Sequence, residues 1–207
     1  MKIRNDYKSL VIAGGWNKYI FNPEWVKKYL FPKDEIGMEF PINVDGSARF
    51  STDKIRISIE QNRLNFYCRS NDLSDYELIQ DLAIKIADYL PHTPVLSYGV
   101  NFLYEETLKV EKITALLNCD HSKILASVIE KDIISNEIKN SINYGYCTLN
   151  NILKYEKGTY SFDFNYHFTI NKLTDFKEST AEHSILALRK DSLDFMVKLY
   201  DLSIDEE

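Results

Sequence analysis

Residues 160–170 read YSFDFNYHFTI, and every second side chain in this stretch is aromatic or aliphatic. The intervening positions carry Ser, Asp, Asn, His and Thr, so hydrophobic and polar residues alternate along the whole segment. Such alternation predicts a β-strand with one buried face and one polar face. A parallel sheet that is buried on both faces would give continuous apolar runs, so the segment indicates an antiparallel sheet covered on one side.

Other segments repeat this alternation. Residues 55–60 and 63–69 are separated by the short polar break Gln61-Asn62, which predicts a β-hairpin with one apolar face. Residues 96–104 alternate in the same way and predict a further strand. Residues 119–157 mix the two periods, and we interpret them mainly as strands.

Helices are predicted between these strands from their end signals. Ser74 and Glu77 form a capping box, so a long helix is predicted to begin at Ser74 and to end before Pro91. A second capping-box match predicts that another long helix begins at Ser179, with a break around Asp191. Short helices are predicted near residues 25–30 and 113–117.

These elements together predict an α+β protein, in which a mainly antiparallel sheet carries two long helices packed on one face. Residues 8–91 and 95–201 show the same order of elements, which we interpret as an internal pseudo-duplication of a β-α-β-β-α unit. No linker rich in Gly, Ser or Pro separates the two halves. Residues 1–207 are therefore expected to form a single globular domain.

Composition limits the compartment and the class of protein. The 207 residues are 44% hydrophobic and 27% charged with a net charge of −6, which excludes intrinsic disorder. The sequence has no uninterrupted run of about 18 apolar residues, so no membrane-spanning helix is predicted. Residues 1–8 lack the apolar core of a secretory signal. The three cysteines are widely spaced and odd in number, which predicts that they stay reduced and do not pair in disulfides. We therefore expect a cytoplasmic protein with no membrane partner.

The sequence carries no catalytic signature, because the phosphate-loop, dinucleotide-binding, zinc-protease and serine-hydrolase motifs are absent. We expect no cofactor. The weak catalytic candidates are Asp163, His167 and His92. Asp163 and His167 would share a strand face about 13 Å apart, at ~3.3 Å per residue. No metal site is predicted, because residues 119–121 (Cys-Asp-His) are adjacent and adjacent side chains seldom point at one metal.

A basic cluster lies between Arg49 and Arg69, where five basic and two acidic residues give a local net charge of +3. The predicted binding residues are Arg56, Arg63, Tyr67 and Arg69. A tyrosine ring beside arginines suits either a protein interface or single-stranded nucleic acid. Nucleic acid is the less favoured partner because the whole chain is acidic.

The leading hypothesis is a non-enzymatic protein–protein interaction, in which an adaptor, inhibitor or assembly subunit uses the polar sheet face or an edge strand. Its partner is expected to be another protein or a second copy of the chain, in a homo-oligomer. One alternative is a metal-dependent hydrolase or nuclease that uses Asp163 and His167. A second alternative is nucleic-acid binding through the basic hairpin 49–69.

Overall fold

The computed structural model describes residues 1–5, 7–40, 47–107, 111–117, 127–128 and 134–204. Ten strands form one sheet in this part of the chain. In chain order they are β1 (Lys2–Ile3), β2 (Lys8–Gly14), β3 (Gly37–Glu39), β4 (Ala48–Ser51), β5 (Ile55–Ile59), β6 (Arg63–Cys68), β7 (Val95–Glu106), β8 (Ser135–Asn143), β9 (Thr148–Glu156) and β10 (Thr159–Thr169).

The strand order is β3-β4-β5-β6-β2-β7-β10-β9-β8, so β2 and β7 lie side by side near the middle of the sheet. Every described pair of strands is antiparallel, which confirms the predicted antiparallel sheet. The long strand β7 pairs with β2 through its first half and with β1 near its end. In the segment 119–157, β8 and β9 are strands as predicted, while residues 118–126 and 129–133 lie outside the described part.

The described helices alternate with groups of strands, so the α+β prediction is confirmed. Asn22 caps the first helix by accepting a hydrogen bond from the Trp25 N–H at 2.9 Å, and Pro23 occupies its first turn. Within the described ranges, no helix is both long enough and apolar enough to cross a bilayer. The helices are α1 (Pro23–Tyr29), α2 (Leu73–Tyr89), α3 (Glu111–Leu117), α4 (Leu173–Glu182) and α5 (Ile185–Tyr200).

The start of α2 differs from its prediction. The N-cap residue is Asp72, so Ser74 lies inside the first turn and the predicted capping box at Ser74 is wrong. The cause is an earlier serine. The Ser70 hydroxyl donates to the Asp75 carboxylate at 2.7 Å and accepts from the Asp72 N–H at 3.1 Å, which fixes the helix start upstream of Ser74.

The C-terminal helices also differ from their prediction. Ser179 lies inside α4, so the predicted helix start at Ser179 is wrong, and the predicted break around Asp191 falls within continuous α5. The chain breaks instead before Ser184, whose hydroxyl accepts from the Ala187 N–H at 3.2 Å. The Gln80 side chain of α2 accepts the first N–H of α5 at 2.9 Å, so a contact from α2 helps to place the break.

Helices α2, α3, α4 and α5 contact the face of the sheet that carries the even-numbered side chains of β7 and β10. Tyr98 shares a hydrogen bond of 2.6 Å with Ser179 of α4, and Tyr104 shares one of 2.6 Å with Ser192 of α5. The even-numbered side chains of β10 are buried, and its odd-numbered side chains are half-buried or exposed. Further contacts on the helix-covered face are Tyr76–Phe102, Thr114–Tyr160, Tyr166–Asp191 and Phe162–Tyr200.

Candidate binding face of the sheet

We call the side of the sheet opposite these helix contacts the polar face. Its members are the odd-numbered side chains of β6, β7 and β10 and their register partners on the neighbouring strands. Cross-strand partners project from the same side of a sheet, so the face can be followed from strand to strand. Five of the predicted site residues lie on strands of this face: Arg56, Arg63, Tyr67, Asp163 and His167. His92 lies elsewhere.

A hydrogen-bonded row of side chains crosses the middle of the polar face. Ser141 donates to Asn150 at 2.8 Å, Asn150 to Asn165 at 3.0 Å, and Asn165 to Asn101 at 2.6 Å. The Asn101 amide then donates to the backbone carbonyl of Lys8 at 2.7 Å. We call this row the asparagine ladder. Because its amides bind one another across adjacent strands, the centre of the polar face is ordered before any ligand arrives.

Asp163 lies on the polar face under an N-terminal tyrosine. The Tyr7 hydroxyl donates to Asp163 Oδ2 at 2.8 Å. The other carboxylate oxygen, Oδ1, is buried and accepts no hydrogen bond from the described residues. Burial raises the pKa of the Asp163 carboxyl, and the Tyr7 hydrogen bond opposes that rise. The Arg4 N–H donates to the Leu103 carbonyl at 2.8 Å and helps hold the chain that carries Tyr7.

The histidine candidates have other surroundings. His167 is exposed on the same face of β10 as Asp163, as predicted, with Asn165 between them. His92 lies in the turn after α2 and lines a cavity of about 340 Å³ with Trp16, Phe21 and several other residues. The structure therefore does not bring the three catalytic candidates together.

Metal-ligand side chains are also dispersed. Across the described ranges, no group of three or more His, Cys, Asp or Glu side chains could hold a metal ion. Residues 119–121, the adjacent Cys-Asp-His of the sequence, lie outside the described part.

Several basic residues of the first half lie on the polar face of β2, β4, β5 and β6. The Arg56 guanidinium lies over the Tyr67 ring with Cζ 4.4 Å from its centroid, and the two residues are register partners. Lys8 is the register partner of Tyr67 on the other side, and Arg63 pairs with β2 at Ala13. Arg49 lies one strand further out and is exposed, with Glu39 at 3.6 Å. We call Lys8, Arg49, Arg56, Arg63 and Tyr67 the basic patch.

Arg69 has a different position from the other predicted binding residues. It follows the last residue of β6, and its Nη1 donates to the Thr52 carbonyl at 2.9 Å. Sequence reasoning missed Lys8 and Tyr7, because their place on the polar face depends on β1 and β2 pairing with distant strands. No local signal marks that pairing.

Comparison with known proteins gives no relative. No protein-family model, curated protein or solved structure matches the chain significantly. The function is therefore inferred from the geometry and charge of the polar face.

Proposed function

We propose that the chain is a non-enzymatic binding protein, which docks an acidic segment of a partner protein on its basic patch. An adaptor, an inhibitor or an assembly subunit would each act in this way. The observation that supports the proposal is the Arg56–Tyr67 stack, flanked in register by Lys8. It places cations beside an aromatic ring on the side of the sheet opposite the helices.

The size of the patch suits a short acidic segment. Neighbouring strands are about 4.8 Å apart, so the patch extends about 14 Å from β4 to β2. An extended peptide advances about 3.3 Å per residue, so four or five residues span that distance. Arginine guanidinium groups bind carboxylates through two parallel hydrogen bonds, which makes Arg56 and Arg63 suited to Asp and Glu side chains.

Two features favour an acidic peptide over nucleic acid. Nucleic acid binding of this kind uses open aromatic rings on which bases stack, and Arg56 already covers one side of the Tyr67 ring. The whole chain carries a net charge of −6, which would repel a polyanion that continued beyond the basic patch. Nucleic-acid binding through hairpin 49–69 therefore stays the alternative outcome of the test.

The metal-dependent hydrolase or nuclease stays an untested prediction. The hydrogen-bond partner of the Asp163 carboxylate is Tyr7, and Asn165 separates Asp163 from His167. No observation on the described residues favours this activity over binding.

Fluorescence anisotropy with two labelled probes, an oligo-glutamate peptide and an oligothymidylate, tests the proposal. We expect the peptide to bind and the double variant Arg56→Ala/Arg63→Ala to weaken it by about tenfold or more, since hydrogen bonds to charged groups contribute about 1.5–3 kcal/mol each. The matched control Lys85→Ala, which removes an exposed cation of α2, should leave affinity unchanged. Absence of peptide binding would overturn the proposal. Tighter, steeply salt-dependent binding of the oligothymidylate would support the nucleic-acid alternative instead.

We also propose that the two halves of the single domain are structural repeats. β2 is followed by α1, strands β3–β6 and α2, and β7 is followed by α3, strands β8–β10 and the pair α4–α5. In each half the last strand returns beside the first, β6 beside β2 and β10 beside β7. Each half has more strands than the predicted β-α-β-β-α unit. A crystal structure in which β2–β6 fails to superpose on β7–β10 would contradict the repeat.

A further inference from the structure

The strand β8 lies at one end of the sheet, and its sequence is close to a palindrome. Residues 134–142 read ISNEIKNSI, which is symmetrical about Ile138 except that Glu137 on one side faces Lys139 on the other. In the described part of the chain, the strand that pairs with β8 is β9. We propose that two copies of the chain pair antiparallel through β8, in the register centred on Ile138.

This register gives every side chain a matching partner. Ile138 meets its own copy, and Glu137 lies opposite Lys139 of the second copy, twice in each dimer. Opposite charges and paired apolar side chains both stabilise antiparallel strands. The flanking pairs are Asn136–Asn140, Ser135–Ser141 and Ile134–Ile142.

The neighbouring registers are disfavoured by charge. A shift of the second copy by two residues in one direction places Glu137 opposite itself, and a shift in the other direction places Lys139 opposite itself. Like charges directly opposite one another destabilise a strand pair. The sequence therefore selects one register out of the three nearest that keep the same backbone pairing.

The backbone of β8 is compatible with this register. The Tyr144 N–H donates to the Cys147 carbonyl at 2.9 Å, and the Lys157 N–H donates to the Ile134 carbonyl at 3.5 Å. Because antiparallel ladders alternate and β8 pairs with β9 without a bulge, even-numbered residues direct their backbone groups toward β9. Odd-numbered residues, including Glu137 and Lys139, direct theirs toward the outer edge. The register about Ile138 pairs odd residues with odd residues, as interstrand hydrogen bonding requires.

The exposure of side chains along β8 also favours pairing with a second copy of the chain. Glu137 and Lys139 are exposed, and Ile134 is 72% exposed. Exposed apolar groups on an edge strand favour association, and pairing about Ile138 would cover Ile134 with Ile142 of the second copy. The symmetry axis of such a dimer is perpendicular to the sheet, so both helix layers lie on one side and the two polar faces join. This inference does not depend on what the basic patch binds.

Sedimentation velocity over a concentration series tests the dimer and its register. We expect the wild-type chain to dimerise, and Lys139→Glu and Glu137→Lys each to weaken dimerisation by about tenfold or more, because each converts two attractive pairs into two repulsive ones. The double variant Glu137→Lys/Lys139→Glu should restore wild-type affinity, and Lys85→Glu on α2 is the matched charge control. A wild-type chain that stays monomeric, or a double variant that fails to restore the dimer, would overturn the proposal.

A disulfide tests the same register without relying on charge. Facing residues in a pair without mutual hydrogen bonds have Cα atoms about 4.5 Å apart, which a disulfide can span. In a Cys119→Ser background, Ile138→Cys should therefore cross-link two copies under mild oxidation. Ile142→Cys should not, because its two copies would lie about 26 Å apart along the strands. Equal cross-linking of the two variants would contradict pairing about Ile138.

Discussion

Replacing Gly99 with alanine should disrupt the asparagine ladder, because the added methyl group would meet the Asn165 side chain. A Cβ at this position would lie 2.8 Å from the side-chain nitrogen of Asn165, which is too close for the amide to stay in place. That amide donates to Asn101 at 2.6 Å and accepts from Asn150 at 3.0 Å. The substitution therefore removes two hydrogen bonds through one steric contact.

The expected cost follows from those two bonds. Each contributes about 0.5–1.5 kcal/mol net, and a Gly-to-Ala change returns about 0.4–1 kcal/mol by restricting the unfolded chain. We expect Gly99→Ala to lower the free energy of unfolding by about 1–2 kcal/mol. Urea unfolding followed by tryptophan fluorescence measures this change, with an unchanged m-value showing that the transition itself is the same.

Gly15→Ala is the matched control, because the nearest atom to a Cβ there, in Pro94, is 3.9 Å away. We expect it to leave stability nearly unchanged. In the Gly99→Ala background, Asn165→Ala should cost less than it does in the wild type, since the side chain that clashes is already displaced. Equal losses for Gly99→Ala and Gly15→Ala, or additive losses in the double variant, would refute the steric argument.

Three further predictions concern buried groups. Asp163→Asn should stabilise the protein most near neutral pH and progressively less on acidification. Burial raises the pKa of the Asp163 carboxyl, so the wild type loses stability as the pH rises through that pKa, and the variant does not. Urea unfolding at several pH values measures the difference in stability between the two proteins, and a difference that is independent of pH would contradict the prediction. Because the Ser192 hydroxyl donates to a carbonyl of α5, we assign the Tyr104 hydroxyl as the donor in the bond between Tyr104 and Ser192. Ser192→Ala should therefore lower the free energy of unfolding by about 1–3 kcal/mol by leaving the buried Tyr104 hydroxyl without an acceptor, and Tyr104→Phe should lower it by about 0.5–1.5 kcal/mol. A larger loss for Tyr104→Phe than for Ser192→Ala in thermal unfolding would exclude this assignment of the donor. Burial raises the pKa of Cys68 to about 12 and of Cys147 to about 11, so iodoacetamide should label both far more slowly in the native than in the urea-unfolded protein, as read by peptide mass spectrometry. Equal labelling rates would show that these thiols are accessible.

Strand positions could be predicted from the sequence because their signal is local. The alternation in residues 160–170 coincides with β10, and the hairpin predicted around Gln61-Asn62 is β5–β6. Side chains at alternate positions face opposite sides whatever the rest of the chain does, so the pattern alone assigned Tyr67 and Asp163 to the polar side.

Helix ends and cross-strand neighbours could not be predicted in the same way. Several residues before α2 are suitable N-caps, and Ser70 decides among them through a bond to Asp75 that no capping motif describes. The break before Ser184 depends partly on Gln80, more than one hundred residues away in the chain. Lys8 and Tyr7 reach the polar face because β1 and β2 pair with distant strands, and the sequence gives no local sign of that pairing.

Backbone amide chemical shifts of the labelled protein, recorded during titration with the oligo-glutamate peptide, show directly whether the peptide binds at the basic patch. We expect the largest changes on residues 49–68 and on β2 around Lys8, with the Tyr67 amide among them. Changes centred on the exposed surfaces of α2 and α5, with β4–β6 unaffected, would contradict binding through the polar face.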